Sequence, residues 1–159
     1  MTEKPRPRAT IIDTGDPFLI TAEIIVDAPA RAIFDLLADP EKHSLIDGSG
    51  SVERALSGPK RLYKGAKFAM AMRIKVPYRI TNEVVTFEED REIAWRHLMR
   101  WQWRYQLTPL EGGKTLVRES FDGRTSRSRR WLGMTGALKH NPIMIAKTLV
   151  RLKEYFETR

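Results

Sequence analysis

The sequence predicts an α+β fold: a curved antiparallel sheet of about seven strands wrapped around a long C-terminal helix, with one or two short helices after the first strand. Three observations predict it. One strand-like run precedes a short helical stretch. Six more strand-like runs follow with no helix between them. Residues 126–157 then shift to helical spacing. One helix cannot cover a flat sheet of that width, so the sheet must bend around it, and bending leaves interior volume.

Residues 18–26 are apolar and β-branched with Thr21 and Glu23 interleaved, the composition of a strand. Asp27 offers a helix N-cap and Pro29 sits where a first turn tolerates proline. A helix is therefore expected over 29–38, carried by Ala32, Ile33, Leu36 and Leu37. Asp39-Pro40 stops it, because proline disfavours helix in the residue before it. Another short turn of helix is expected over 41–45. After the loop Asp47-Gly48-Ser49-Gly50, strands are expected over 51–56, 66–74, 78–88, 92–98, 101–110 and 114–121. Pro77 is expected to break the strand that precedes it, and Glu111-Gly112-Gly113-Lys114 to form a hairpin loop. In the final segment Trp131, Leu132, Leu138, Ile145, Leu149, Leu152 and Phe156 recur at helical spacing. Gly133, Gly136 and Asn141-Pro142 interrupt its first half, so 142–156 is its most regular part.

A length of 159 residues, 42% hydrophobic and 30% charged, fits one globular domain. Residues 1–17 read as a basic, poorly ordered tail and 18–159 as the domain. The absence of cysteine excludes disulfides, thiolate nucleophiles and cysteine metal sites, and it fits a reducing compartment. No apolar run reaches the ~18 residues of a membrane span, and the N-terminus lacks the apolar stretch of a secretory signal. A cytoplasmic location is expected. Lys plus Arg is 28 against 20 Asp plus Glu, a net charge of +8. That balance can steer the chain toward anions or serve solubility alone. Gly-rich phosphate loops and Gly-x-Ser-x-Gly do not occur, so neither a nucleotide enzyme nor a serine hydrolase is supported. No two of the three histidines have a metal-ligand spacing, and neither metal nor cofactor is expected.

The chain resembles the superfamily of START-like, birch-allergen-like and polyketide cyclase/dehydrase domains. The carriers of the resemblance are the run from Asp27-Ala28-Pro29 to Asp39-Pro40, the loop Asp47-Gly48-Ser49-Gly50-Ser51-Val52, and Ile93-Ala94-Trp95-Arg96. Trp103-Arg104-Tyr105-Gln106-Leu107-Thr108-Pro109-Leu110 and Gly112-Gly113 before Thr115-Leu116-Val117 complete it. The resemblance covers roughly residues 18–156. It implies a helix-grip fold with a cavity between sheet and C-terminal helix. Relatives include lipid and hormone carriers, aromatase/cyclases and quinone-binding proteins. Fold alone does not name a ligand.

Strand alternation proposes the cavity wall. Trp101, Trp103, Tyr105 and Leu107 share one face, and Gln102, Arg104 and Gln106 the other. The aromatic face should point inward, since three large rings in water form a costly patch. Phe68, Met70 and Met72 make a second inward stripe, and methionine suits a site that adapts to its guest. Trp95, Phe121, Met144 and Thr148 join them as ligand-contact candidates. The alternative for each is ordinary core packing.

Two titratable groups are candidate catalytic residues. If Val117 and Phe121 face inward, so does Glu119, where it can hydrogen-bond a ligand or act as a general base. The alternatives are an ion pair with an arginine, or a register that turns it to solvent. His97 follows Trp95 on the same face and can meet a ligand or Glu119. His43 and His140 fall near turns in opposite parts of the chain, and at most one of Arg79 and Asn82 can enter the cavity. Arg124, Arg127, Arg129 and Arg130 cluster where the final helical segment begins and are candidates for anion binding.

The leading expectation is binding or transfer of a hydrophobic small molecule such as a lipid, isoprenoid or polycyclic aromatic. A cyclase or dehydratase with Glu119 or His97 as acid/base is the alternative. A third reading has the arginine cluster touch RNA or an anionic membrane. Nothing in the sequence sets the oligomeric state.

Overall fold

A computed structural model describes residues 7–97 and 100–158. Alternating strand-forming residues build one antiparallel sheet of eight strands. They are β1 (Thr10–Ile12), β2 (Leu19–Val26), β3 (Val52–Ser57), β4 (Lys67–Ile74), β5 (Val76–Glu88), β6 (Glu92–Arg96), β7 (Gln102–Pro109) and β8 (Thr115–Asp122). Their order is β1-β2-β8-β7-β6-β5-β4-β3. Strands β3 to β8 form a meander, and β2 closes onto its last member. Between β2 and the far edge strand β3 the chain passes through α1 (Ala30–Leu37), a 3-10 turn (Pro40–Lys42) and α2 (His43–Ile46). After β8 come α3 (Arg129–Met134) and α4 (Ala137–Glu157). This is the expected helix-grip architecture, with one strand more.

The extra strand lies inside the segment read as a tail. Thr10, Ile11 and Ile12 pair with Glu23, Ala22 and Thr21 of β2. Residues 1–6 of that segment lie outside the described residues. Register shifts between Val52 and Arg54, Ala55 and Ser57, and Val84 and Thr86 mark bulges, which bend the strands that carry them.

Helix α1 buries Ile33, Phe34, Leu36 and Leu37. Its N-cap is Pro29 with no side-chain bond, so Asp27 does not cap it. Asp39 instead accepts the Glu41 N–H at 3.1 Å and starts the 3-10 turn. On α4, Ile145, Thr148, Leu149 and Leu152 are buried. These residues recur at helix spacing, and α4 packs on β2 and β8.

Of the three breaks expected at proline, the one at Asp39-Pro40 ends α1, while Pro77 and Pro142 lie inside elements. Pro77 sits within β5, opposite Arg73. Pairing of β5 with β6 begins only at Glu83↔Arg96, so the missing proline N–H costs no bond on that side. The chain reverses at Lys75, whose φ is +64°. Pro142 lies inside α4, one turn from its start. There it deprives only the Leu138 carbonyl of a partner, while the buried face further along holds the helix. The real interruption is Gly136, with φ +77°, between α3 and α4. No helix among the described residues is long and apolar enough to cross a membrane.

Candidate functional site

Two neighbouring side chains on β8 fix the face on which the site is built. Arg118 points outward and pairs with Glu23 of β2 at 2.9 Å, directly across the strand boundary. The next residue, Glu119, must then point the other way, and it is only 3% exposed. Tyr105, its register partner on β7, donates its hydroxyl proton to Glu119 Oε1 at 2.9 Å. Oε2 has no hydrogen-bond partner among the described residues. The partner of Glu119 is thus a phenol, in place of the arginine or solvent that the sequence left open. On the outer face Arg104 of β7 lies 3.6 Å from Glu92.

Between the sheet and α4 lies a cavity of about 560 Å³, within the range of small-molecule sites. Its wall includes Phe68, Met70 and Met72 of β4, Trp95 of β6, Trp103 and Tyr105 of β7, and Glu119 and Phe121 of β8. Met144 and Thr148 of α4 face them, and His97 and Trp101 line the stretch between β6 and β7. That stretch was read as strand through residue 98, but β6 ends at Arg96, and residues 98 and 99 lie outside the described residues. His97 packs edge-on against Trp101 at 4.9 Å. Of the two contacts open to His97 in the sequence, a hydrogen bond to Glu119 is not formed among the described residues.

The sequence reading missed part of the wall. His43 and His140, placed in opposite parts of the chain, line the same cavity, as do Asp47, Ser49, Ser51 and Tyr78, and of Arg79 and Asn82 it is Asn82 that enters. His43 stacks on Trp95 at 4.9 Å and 17°, and Phe68 meets both rings edge-on at 5.8 and 5.7 Å. Its Nε2 lies 2.8 Å from the Leu37 carbonyl, which can only accept, so that nitrogen carries the proton. The aromatic lining continues through Trp103–Phe121 at 5.0 Å and Trp101–Phe121 at 5.7 Å. It reaches the outside where half-exposed Trp131 of α3 stacks on Trp101 at 5.5 Å.

Burial sets the protonation of this wall. It pushes the Glu119 carboxyl up from 4.5 to about 8, against the opposing Tyr105 hydrogen bond, so the acid is neutral at pH 7. Burial, with the Glu119 carboxyl beside it, drives the Tyr105 phenol well above its ordinary value. Burial also lowers His43 and His97, which favours their neutral forms.

The loop after α2 gives Asp47, Ser49 and Ser51 to the cavity wall. Both carboxylate oxygens of Asp47 are used within it, one accepting the Ser49 N–H at 3.1 Å and the other the Val52 N–H at 3.0 Å. Gly48 N–H donates to Thr148 Oγ1 at 2.9 Å, and Arg151 donates to the Asp47 carbonyl. A Cβ on Gly48 would lie 2.5 Å from Thr148 N and 2.7 Å from the Met144 carbonyl oxygen. Glycine therefore lets the loop rest on the helix.

The arginine cluster divides. Arg124 forms a two-pronged pair with Asp122 at 3.0 and 2.9 Å, and Arg129 lies over the Phe18 ring at 5.1 Å. Both serve the fold locally. All four arginines are exposed.

Residues 17–157 match the family model described as polyketide cyclase / dehydrase and lipid transport. The uncharacterized protein Rv0088 of Mycobacterium tuberculosis is 33% identical over 152 residues, covering 92% of this chain and 67% of that protein. Among solved structures, protein Ms6760 of Mycobacterium smegmatis superposes with a TM-score of 0.72 at 15% identity, over 96% of this chain and 98% of that one. The polyketide-cyclase-like protein Cgl2372 of Corynebacterium glutamicum gives 0.56 at 18% identity, over 89% and 92%. At those identities the structures speak for the fold, while the family model spans nearly the whole chain. The chain belongs to the polyketide cyclase/dehydrase and lipid transport family.

Proposed function

We propose that this chain binds or transfers a hydrophobic small molecule, a lipid, isoprenoid or polycyclic aromatic, in the cavity between sheet and α4. The observation that carries the reading is the wall itself: about 560 Å³ bounded by tryptophan, phenylalanine and methionine, with a few polar groups set among them. Native mass spectrometry of the freshly purified chain tests it. A non-covalent adduct that leaves on unfolding is expected, and Met144→Trp, which narrows the cavity, should reduce its occupancy. A bare mass, together with no uptake of the neutral dye Nile red, would refute it.

A second reading is favoured by one feature, the buried and protonated carboxyl of Glu119 on the cavity wall. A group that holds its proton at pH 7 can act as a general acid toward a guest. If the recovered guest is converted by the protein, Glu119→Gln should lower turnover at least a hundredfold while leaving affinity within a few-fold. Unchanged turnover would remove this reading.

A further inference from the structure

We infer that the rim of the cavity is a docking surface for an anionic phospholipid bilayer, with apolar side chains of two lips seated among the lipids and the surrounding cations on the headgroups. The inference concerns the outer surface and holds whatever the cavity contains. One lip is the β4–β5 turn, where Ile74 and Tyr78 line the cavity and Lys75 and Val76 stand between them. The other is α3 with the first turn of α4, where Ala137 and His140 line the same cavity and Trp131 stacks on Trp101 of its wall. The three most exposed large hydrophobic side chains among the described residues are Met134 at 77%, Val76 at 65% and Ile74 at 60%, and all three stand on these lips. Tyr78 and Trp131, also exposed, join them. Apolar side chains scattered singly over a surface need no explanation, but a concentration of them beside one opening marks an interaction site.

Charge is segregated along the chain in the same way. No aspartate or glutamate occurs between Glu53 and Glu83 or between Asp122 and Glu154, and these two stretches carry 16 of the 28 lysines and arginines. The remainder of the chain holds 12 cations against 20 acids, so the positive excess belongs to the two stretches that include the lips. Of their cations, Arg73 is paired with Glu53, Arg124 with Asp122, and Arg129 covers Phe18. Lys75, Arg79, Arg127, Arg130 and Lys139 are exposed and have no ion-pair partner among the described residues. Each cation beside an anionic leaflet strengthens binding about fivefold, and tryptophan, tyrosine and aliphatic side chains gain by entering the headgroup boundary. RNA would answer the cations and the rings but leave Ile74, Val76 and Met134 in water. A second copy of the chain would set cation against cation.

The test is co-sedimentation of the full chain with vesicles of phosphatidylcholine alone and of phosphatidylcholine with about 30% phosphatidylglycerol. Binding should be about tenfold tighter to the anionic vesicles and should weaken as salt rises. Val76→Ser with Met134→Ser should lower it about tenfold. Lys75→Gln with Arg79→Gln, Arg127→Gln and Arg130→Gln should remove the preference for anionic lipid. Brominated acyl chains should quench tryptophan emission, and the quench should shrink in Trp131→Phe. None of these six side chains or Trp131 lines the cavity, so Nile red uptake without vesicles should stay unchanged in every variant, and its absence from the wild-type chain would count against the cavity reading alone. Failure to bind anionic vesicles overturns the inference, and binding of oligouridine RNA in their place would reassign the surface to nucleic acid. Equal binding to both kinds of vesicle, or undiminished binding by the serine pair, overturns it as well.

Discussion

Glu119 couples the cavity wall to stability. Its carboxyl ionises near 4.5 when unperturbed and near 8 in the fold. Between those values the folded chain holds a proton that the unfolded chain has released. Stability from this group is therefore complete below pH 4.5, falls as pH rises, and is gone above about 8. The slope approaches roughly 1.4 kcal/mol per pH unit at its steepest. Denaturant titrations at pH 5.5, 7 and 8.5 should show wild type losing stability relative to Glu119→Gln as pH rises. A constant difference would mean that the carboxyl is not held neutral. His43 has the opposite sign, since burial lowers it and its contribution is lost as pH falls below 6.5. Referencing to the Gln variant cancels that effect. The inward aim of Glu119 was legible because Val117 and Phe121 alternate with it on one strand. The partner was not, because a β7 phenol and an outer-strand arginine fit the sequence pattern equally. Nor could the sequence bring His43 to Trp95, a contact that depends on how α2 is laid across the sheet.

At the scale of elements, the fit of α4 against sheet and loop is the joint that defines the cavity. Leu149 is fully buried on its inner face, so Leu149→Ala should cost about 2–5 kcal/mol by thermal or denaturant unfolding. Gly48→Ala forces the Asp47–Gly50 loop off α4, because the added methyl meets backbone of the helix. We expect a loss of about 1–3 kcal/mol and faster amide exchange at Gly48, whose N–H is held by Thr148. Unaltered exchange would show that the loop tolerates the methyl without moving. Most elements were readable from periodicity. The succession of strands and helices along the chain and the glycine loop at 111–114 follow from local patterns, and the structure agrees. The two prolines misled for a shared reason: local propensity yields when the surroundings ask nothing of the missing N–H. Pro77 lies beyond the reach of β6 and Pro142 near a helix start. Strand β1 was hidden because a three-residue strand among prolines and arginines has no period to detect.

For the whole molecule, the distribution of polarity is the organising feature. No lysine or arginine among the described residues lines the cavity, and an aromatic interior remains unfilled by the chain's own side chains. The sequence foretold a bent sheet over one helix, but cavity size emerges from how far the bulged strands stand off α4, which no local pattern encodes. Three of the four tryptophans, Trp95, Trp101 and Trp103, line the space, and Trp131 stacks on one of them. A guest in that space would lie near these fluorophores. Stoichiometric titration with a neutral apolar quencher such as Nile red is the most direct measurement. Saturation at one molecule per chain, with quenching of most tryptophan emission and loss of uptake in Met144→Trp, is the expected result. Linear, unsaturable uptake, or equal uptake by the narrowed variant, would contradict a sequestered site.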